Sequence, residues 1–177
     1  NLGGTWYYLA SSGAMQTGWI YDGSAYYFCA ADGHWIPSNA EYRDMLNWAQ
    51  GYSSATNYLI MVDTANCRVG IYYGRFGSWS VSKEFICSPG APSTPTSKGQ
   101  FTVQDKGYVF GHGYSCYYYT QFYNDYLLHS VLYNEGTRVV QDGRLGQHLS
   151  HGCVRLAIEN AKWIYDNIPR GTKVVIW

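Results

Sequence analysis

The stretch YLIMVDTANCRVGIYY, residues 58–73, decides the fold because it holds two runs that are typical of β-strands. Residues 58–63 and 68–73 are rich in valine, isoleucine and tyrosine, which pack well on a pleated surface. Similar runs, separated by turns that contain glycine, proline or Asn-Asp, follow at residues 78–85, 99–106, 114–123 and 126–133. Short strands at this spacing predict a mainly β domain of the sandwich or barrel type.

The C-terminal region predicts one helix and a last strand. Apolar residues recur at helical spacing over residues 157–167, and Pro169 stops the helix because proline cannot continue it. Residues 173–177 then read as a strand that ends the chain.

The N-terminal region contains a short internal repeat. The segment GGTWYYL, residues 3–9, is echoed by DGSAYYF, residues 22–28. Each copy predicts a β-hairpin whose second strand carries Trp19 or Trp35. Since a lone hairpin cannot bury its apolar face, we expect the copies to stack on one another.

A helix is predicted between the repeat and the β region. Ser38 with Glu41 three residues later fits a capping box that opens a helix over residues 40–50. The chain is thereby divided into an aromatic repeat over residues 1–37, a linking helix and loop over residues 38–57, and a main domain over residues 58–177.

Composition narrows the classes of partner. The net charge is zero, with 12 Lys plus Arg against 12 Asp plus Glu, which argues against nucleic acid as a partner. No apolar run approaches the roughly 20 residues that span a bilayer. No Cys and His pairs have metal-ligand spacing, so no metal site is predicted. The chain begins at Asn1 inside the repeat, which predicts a processed or truncated fragment.

A nucleophile is predicted at Cys153. Ser150, His151 and Gly152 precede it, so that a hydroxyl, an imidazole and a flexible backbone position lie beside one thiol. A free thiol, with a pKa of about 8.5, is mostly protonated at neutral pH and needs a base. His129, at the end of a predicted strand, is a candidate for that base. The alternative is an ordinary buried cysteine.

The order of these residues resembles the signature of the L,D-transpeptidase catalytic domain of the YkuD type. The signature consists of His129-Ser130, an intervening loop, and SHGCVRL at residues 150–156. CSPG at residues 87–90 and the segment from Thr96 to Val103 support the resemblance, although the proline here precedes Thr96. Twenty residues separate His129 from Ser150, more than is usual in the family, which leaves the acceptor specificity open but not the chemistry.

The resemblance implies a two-step reaction on peptidoglycan and no cofactor. Cys153 attacks the carbonyl between the diamino third residue and the terminal D-Ala of a donor tetrapeptide, releasing D-Ala and leaving a thioester. His129 acts as general base and then acid, and the carbonyl of Ser130 fixes its tautomer. An amine of a second stem then forms a 3→3 cross-link. We expect His151 to shape the pocket, and the N–H groups of Gly152 and Cys153 to stabilise the oxyanion.

Further contacts are expected around this site. Ser150, Arg155 and Tyr119 are predicted to touch the substrate, with a structural link to the adjacent helix as the alternative for Arg155. Five cysteines leave at least one unpaired, and if Cys153 is the reactive thiol the other four, Cys29, Cys67, Cys87 and Cys116, allow three full pairings. A disulfide between Cys87 and Cys116 is a further hypothesis. A carbapenem β-lactam is the inhibitor that the family resemblance implies.

The first copy of the repeat resembles cell-wall-binding repeats related to choline-binding modules. The resemblance implies that aromatic rings hold a quaternary ammonium or a sugar face of a wall polymer, and its residues here are Trp6, Tyr8, Trp19 and Tyr27. The alternative is that the aromatics only hold the hairpins together. Together the two resemblances imply a secreted bacterial protein associated with the cell wall.

Two other functions stay open at this point. A hydrolase with the same nucleophile would trim stems as an L,D-carboxypeptidase or endopeptidase, because only the acceptor differs. A non-catalytic wall-binding protein would use the repeat alone and leave Cys153 inert.

Overall fold

The computed structural model describes residues 4–22, 26–29, 33–36 and 45–177. The chain divides into two compact units, Asn1–Asn47 and Trp48–Trp177. None of the described helices is long and apolar enough to cross a membrane.

The first unit contains a small antiparallel sheet. Its strands are β1 (Gly18–Tyr21), β2 (Tyr26–Cys29) and β3 (Trp35–Ile36), in that spatial order. A single bridge joins Leu9 to Met15 within the first copy of the repeat, and another joins Tyr7 to His34 of the second copy. This pairing agrees with the predicted stacking of the copies. Residues 45–49 are helical, as expected, but the predicted capping box at residues 38–41 lies outside the described residues.

The second unit is built on one nine-stranded sheet. In chain order its strands are β4 (Tyr58–Asp63), β5 (Arg68–Tyr73), β6 (Ser80–Ser88), β7 (Gly99–Thr102), β8 (Lys106–Phe110), β9 (Cys116–Tyr123), β10 (Tyr126–Ser130), β13 (Val154–Leu156) and β14 (Lys173–Ile176). Two short strands, β11 (Leu132–Tyr133) and β12 (Val140–Asp142), form a separate ribbon. The spatial order in the main sheet is β7-β14-β4-β5-β6-β13-β10-β9-β8.

The main sheet curls because β6 belongs to both of its halves. Residues Ser80–Ile86 of β6 pair with β5, whereas Cys87 and Ser88 pair with β13. Beyond the end of β7, the Gln104 N–H donates to the Gln121 carbonyl of β9 at 2.8 Å, which brings the edge of one half against the other. The mainly β, barrel-like fold is therefore confirmed.

The core lies between the two halves and under one helix. Residues 59–62 of β4 are fully buried, so this strand is apolar without alternation. The helix α1 (Ile158–Asn167) buries Ala161 and Ile164 and packs against β9 and β10. It lies where the spacing predicts a helix.

The Cys87–Cys116 disulfide hypothesis is wrong. Both thiols are free and buried, and the strands that carry them are separated by β13 and β10. Three strand spacings amount to roughly 14 Å, whereas a disulfide joins Cα atoms that are at most about 7 Å apart.

Candidate active site

The loop that precedes Cys153 is held by the end of β6. The N–H groups of Leu149 and Ser150 donate to the Pro89 carbonyl at 3.0 and 3.1 Å. The Ser150 carbonyl in turn accepts from Ala91 N–H at 2.8 Å and from the Thr94 hydroxyl at 2.9 Å. The CSPG segment noted in the sequence therefore supports the backbone directly before the nucleophile.

Ser150 uses its hydroxyl inside the loop. Its Oγ donates to the Cys153 carbonyl at 2.5 Å and accepts from the Gly152 N–H at 3.0 Å, and the residue is 2% exposed. These bonds correct two expectations. Ser150 does not present its hydroxyl to a substrate, and the Gly152 N–H is already engaged instead of being free for an oxyanion.

Gly152 adopts a conformation that only glycine tolerates easily. Its φ is +114°, and a Cβ built there would lie 2.5 Å from Cε1 of Tyr126. The close approach of the Tyr126 ring was not foreseeable from the sequence, because it joins β10 to a loop 26 residues away.

We expect Gly152→Ala to destabilise the protein and to slow acylation. The strained φ alone should cost roughly 1–3 kcal/mol, and the ring contact forces the loop to move in addition. Denaturant unfolding and the rate of covalent labelling of Cys153 measure the two effects. Gly136→Ala is the matched control, since Gly136 has φ +70° but nothing within 4 Å of its Cβ position. Equal losses in both variants would contradict a specific role for the Tyr126 contact.

His129 lies in β10, and Cys153 directly precedes β13, which pairs with β10 in parallel. β10 pairs with β13 so that Leu128 lies opposite Val154 and His129 opposite Arg155. The start of this pairing brings Cys153 into the same cleft as Leu127, two residues before His129 on β10. Cys153 is partly exposed, and its Sγ lies 3.5 Å from the Asp125 carbonyl oxygen in the turn between β9 and β10.

The imidazole of His129 is held in one orientation. Its Nδ1 lies 2.6 Å from the Ser130 carbonyl, which can only accept, so Nδ1 carries the proton and Nε2 has the free lone pair. The edge-on ring of Phe110 packs 5.0 Å away, and His129 is 4% exposed. This geometry agrees with the expectation that the Ser130 carbonyl fixes the tautomer of His129. The catalytic roles of both residues stay predictions.

Burial keeps both groups neutral in the resting protein. Desolvation lowers the pKa of His129 to about 4, although the bond to Ser130 opposes the shift. Desolvation also raises the pKa of the Cys153 thiol above its ordinary value, with Arg155 acting in the opposite direction. The site therefore holds a thiol and a neutral imidazole at pH 7, and not a thiolate–imidazolium pair.

The thiol opens into a cleft of about 530 Å³, which we call the thiol cleft. Its walls are Asp105, Val109, Phe110, Tyr114, Tyr119, Gln121, Asp125, Leu127, His151 and Cys153. Tyr119 is one of these walls, and its contact with a substrate stays a prediction. Its ring packs over Gly107, where an added Cβ would approach it to 2.2 Å.

A second cleft of about 520 Å³ also borders His151. We call it the lysine cleft, and its walls are Thr94, Pro95, Thr96, Ser97, Lys98, Tyr126 and His151. His151 therefore borders both clefts, which agrees with the expectation that it shapes the pocket.

Arg155 lines neither cleft. Its Nη1 lies 3.0 Å from Oδ2 of Asp142 in β12, and Arg155 is 7% exposed. Asp142 also binds Arg144, whose hydrogen bonds are the main reason that the pKa of Asp142 is lowered to about 2. This corrects the expected substrate contact: Arg155 instead ties the long loop before Ser150 to the strand that follows Cys153.

An aromatic pocket of about 220 Å³ lies within the first unit. Its walls are Trp6, Tyr7, Tyr8, Asp22, Tyr27, Cys29 and Trp35. Three of the four predicted wall-binding residues, Trp6, Tyr8 and Tyr27, therefore line one cavity. Trp19 lies in β1, but its side chain is outside the described residues. In the described part of the chain, no group of three or more His, Cys, Asp or Glu residues could hold a metal ion.

Two family profiles match the chain. One, described as the L,D-transpeptidase catalytic domain, matches residues 57–176, and one described as the choline-binding repeat matches residues 1–38. A curated relative, the putative L,D-transpeptidase YciB of Bacillus subtilis, is 42% identical over 89 residues. Those residues are 46% of each protein, so the chain spans about half the length of the relative it matches.

Solved structures give the same fold. A fused Zn-dependent amidase/peptidase/peptidoglycan-binding domain-containing protein from Clostridium acetobutylicum is 39% identical with a TM-score of 0.66, covering 80% of this chain and 63% of that chain. The L,D-transpeptidase LdtMt1 in complex with imipenem has a TM-score of 0.55 and covers 91% of this chain and 78% of that chain. Its 16% identity supports a shared fold only.

Proposed function

Since the chain belongs to the YkuD family of L,D-transpeptidase catalytic domains, we propose that it forms 3→3 cross-links between peptidoglycan stems through a thioester on Cys153. The observation that carries this proposal is the placement of Cys153 in the wall of an open cleft, directly before the strand that pairs with β10, which carries His129. The neutral imidazole of His129, with its Nδ1 proton bound by Ser130, is the form that accepts a proton from a thiol.

The first half-reaction transfers an acyl group to the protein. Nε2 of His129 takes the Sγ proton as Sγ attacks the carbonyl carbon between the diamino residue and the terminal D-Ala. The tetrahedral oxyanion is stabilised by backbone N–H groups, of which that of Cys153 remains our candidate. As the intermediate collapses, His129 returns the proton to the amine of D-Ala, which leaves, and the thioester remains.

The second half-reaction needs an acceptor amine on the other side of the thioester. The lysine cleft supports this step because it shares His151 with the thiol cleft and is large enough for a second stem. Lys98 would pair with a carboxylate of that stem. Trimming by water remains the alternative, since a water molecule needs no second cleft.

Tetrapeptide muropeptides separate these two outcomes. The purified protein is expected to convert disaccharide tetrapeptides into cross-linked dimers and free D-Ala, followed by mass spectrometry. Lys98→Gln should lower the ratio of dimers to shortened monomers without abolishing release of D-Ala, because it removes only the acceptor contact. Shortened monomers alone from the unmodified protein would reject cross-linking and favour the carboxypeptidase.

We propose that the repeat over residues 1–37 attaches the catalytic domain, residues 58–177, to the cell wall through the segment 38–57. The aromatic pocket supports this because electron-rich ring faces attract cations, and the carboxylate of Asp22 adds a negative charge. An extracellular, wall-associated location would follow. A purely wall-binding protein is the third candidate function, and the tetrapeptide assay would favour it only if no product formed.

A further inference from the structure

The thiol cleft carries negative charge and no positive side chain. Asp105 and Asp125 are the charged residues among its walls, and no Lys or Arg lines it. The lysine cleft, by contrast, has Lys98 as its charged residue. The two clefts that meet at His151 therefore differ in sign, and each should favour a substrate group of the opposite charge.

The two carboxylates of the thiol cleft are not equivalent. Asp105 already forms an ion pair with Arg170. Asp125 lies exposed in the turn between β9 and β10, and no ion pair joins it to a side chain within residues 45–177, all of which the structure describes. Asp125 is therefore the residue with charge available for a ligand.

Asp125 also lies directly beside the reacting atom. Its carbonyl oxygen is 3.5 Å from Sγ of Cys153, and its own side chain extends from the same residue. Burial is the main reason that the pKa of Cys153 is raised, and the negative charge of Asp125 raises it further. A carboxylate at this point opposes ionisation of the thiol, so it does not activate the nucleophile.

We propose that the carboxylate of Asp125 binds the side-chain ammonium of the diamino residue in the donor stem and so selects donors in which that amine is free. This inference rests on the proposed function, and it identifies the residue that would recognise the donor stem. The acyl carbon that joins Sγ belongs to the diamino residue itself. The side chain of the diamino residue places its ammonium only a few bonds from this acyl carbon. The ammonium is therefore within reach of Asp125, the residue that contacts Sγ.

The rate of D-Ala release measures how strongly the protein prefers one donor over another. It reports on the first half-reaction alone, so the result does not depend on which acceptor completes the second half-reaction. Two donors are compared with the full chain: a tetrapeptide with a free side-chain amine and the same peptide N-acetylated on that amine. We expect the free amine to be preferred about fivefold in kcat/KM, the size of a solvent-accessible ion pair. The preference should appear mainly in KM and should decrease at high salt, because exposed charges are screened.

Asp125→Asn is expected to remove the preference by slowing turnover of the free-amine donor alone. Asp125→Glu should restore part of it. The matched control is Glu135→Gln, which removes an exposed carboxylate outside both clefts and should keep the fivefold preference.

Acylation by a carbapenem, which lacks the diamino side chain, is the second readout. Removing the charge of Asp125 lowers the pKa of Cys153, so labelling of Asp125→Asn should be at least as fast as that of the unmodified protein. Slower labelling would mean that the variant damages the thiol site and would overturn the inference, as would an unchanged preference in Asp125→Asn. If the unmodified protein released no D-Ala from either donor, the proposed function itself would fail.

Discussion

Cys153→Ala is expected to take up no carbapenem, whereas the unmodified protein gains the mass of one molecule. The physical reason is that Cys153 is the only partly exposed thiol among the five, all of which lie in the described residues. Burial raises the pKa of Cys67 and of Cys116 to about 12, so neither forms a thiolate near neutral pH. The same variant should release no D-Ala from a tetrapeptide.

Intact-protein mass spectrometry after incubation with imipenem measures this result. Cys67→Ala is the matched control, because it removes a buried thiol outside both clefts and should still gain one adduct. An adduct that persists in Cys153→Ala, or none on the reduced unmodified protein, would reject the assignment of the nucleophile.

His129→Ala should slow acylation about 10²- to 10⁴-fold, the range in which a positioned general base contributes. The dependence of the acylation rate on pH shows whether the rate is lost because the general base is missing. Because the pKa of His129 is lowered to about 4, the unmodified protein retains a neutral imidazole from pH 5 to 8, and its rate should not fall as the pH decreases through 6.5. In His129→Ala only the thiolate reacts, so the remaining rate should rise about tenfold per pH unit below the pKa of Cys153.

Stopped-flow labelling at a series of pH values provides both measurements. His112→Ala is the matched control, since His112 is exposed and borders neither cleft. A largely active His129→Ala would overturn the assignment of the base. A wild-type profile with an acid limb near pH 6.5 would show instead that the imidazole is solvated like a surface histidine.

Much of the fold is predictable where strands are buried on both faces. The bounds of β4 and β5 agree with the predicted runs to the residue. Their runs of buried β-branched and aromatic residues strongly favour a strand. The predicted strand over residues 126–133 is broken into β10 and β11, and β12 and β13 were not predicted at all. Strands of two or three residues have no period of their own and form only because a neighbour pairs with them.

The sequence motif located the candidate site but did not reveal all of the residues that form it. Cys153, His129 and Ser130 stand in an order that matches the family signature, and their catalytic roles stay predictions. The partners of the motif were missed, among them Tyr126 against Gly152, Phe110 against His129, and Asp142 against Arg155. No local pattern marks these residues, because each contact joins positions that are distant in the chain.

The sequence by itself determined the fold class and the family and predicted the nucleophile, because hydrophobic patterning and the spacing around Cys153 are local properties of the chain. Only the tertiary structure decided which groups remain available for chemistry. The hydroxyl of Ser150, the N–H of Gly152 and the guanidinium of Arg155 all look free in the sequence, yet each is engaged by a partner. A polar group that is buried has to be satisfied, and its partner is known only once the strands are paired.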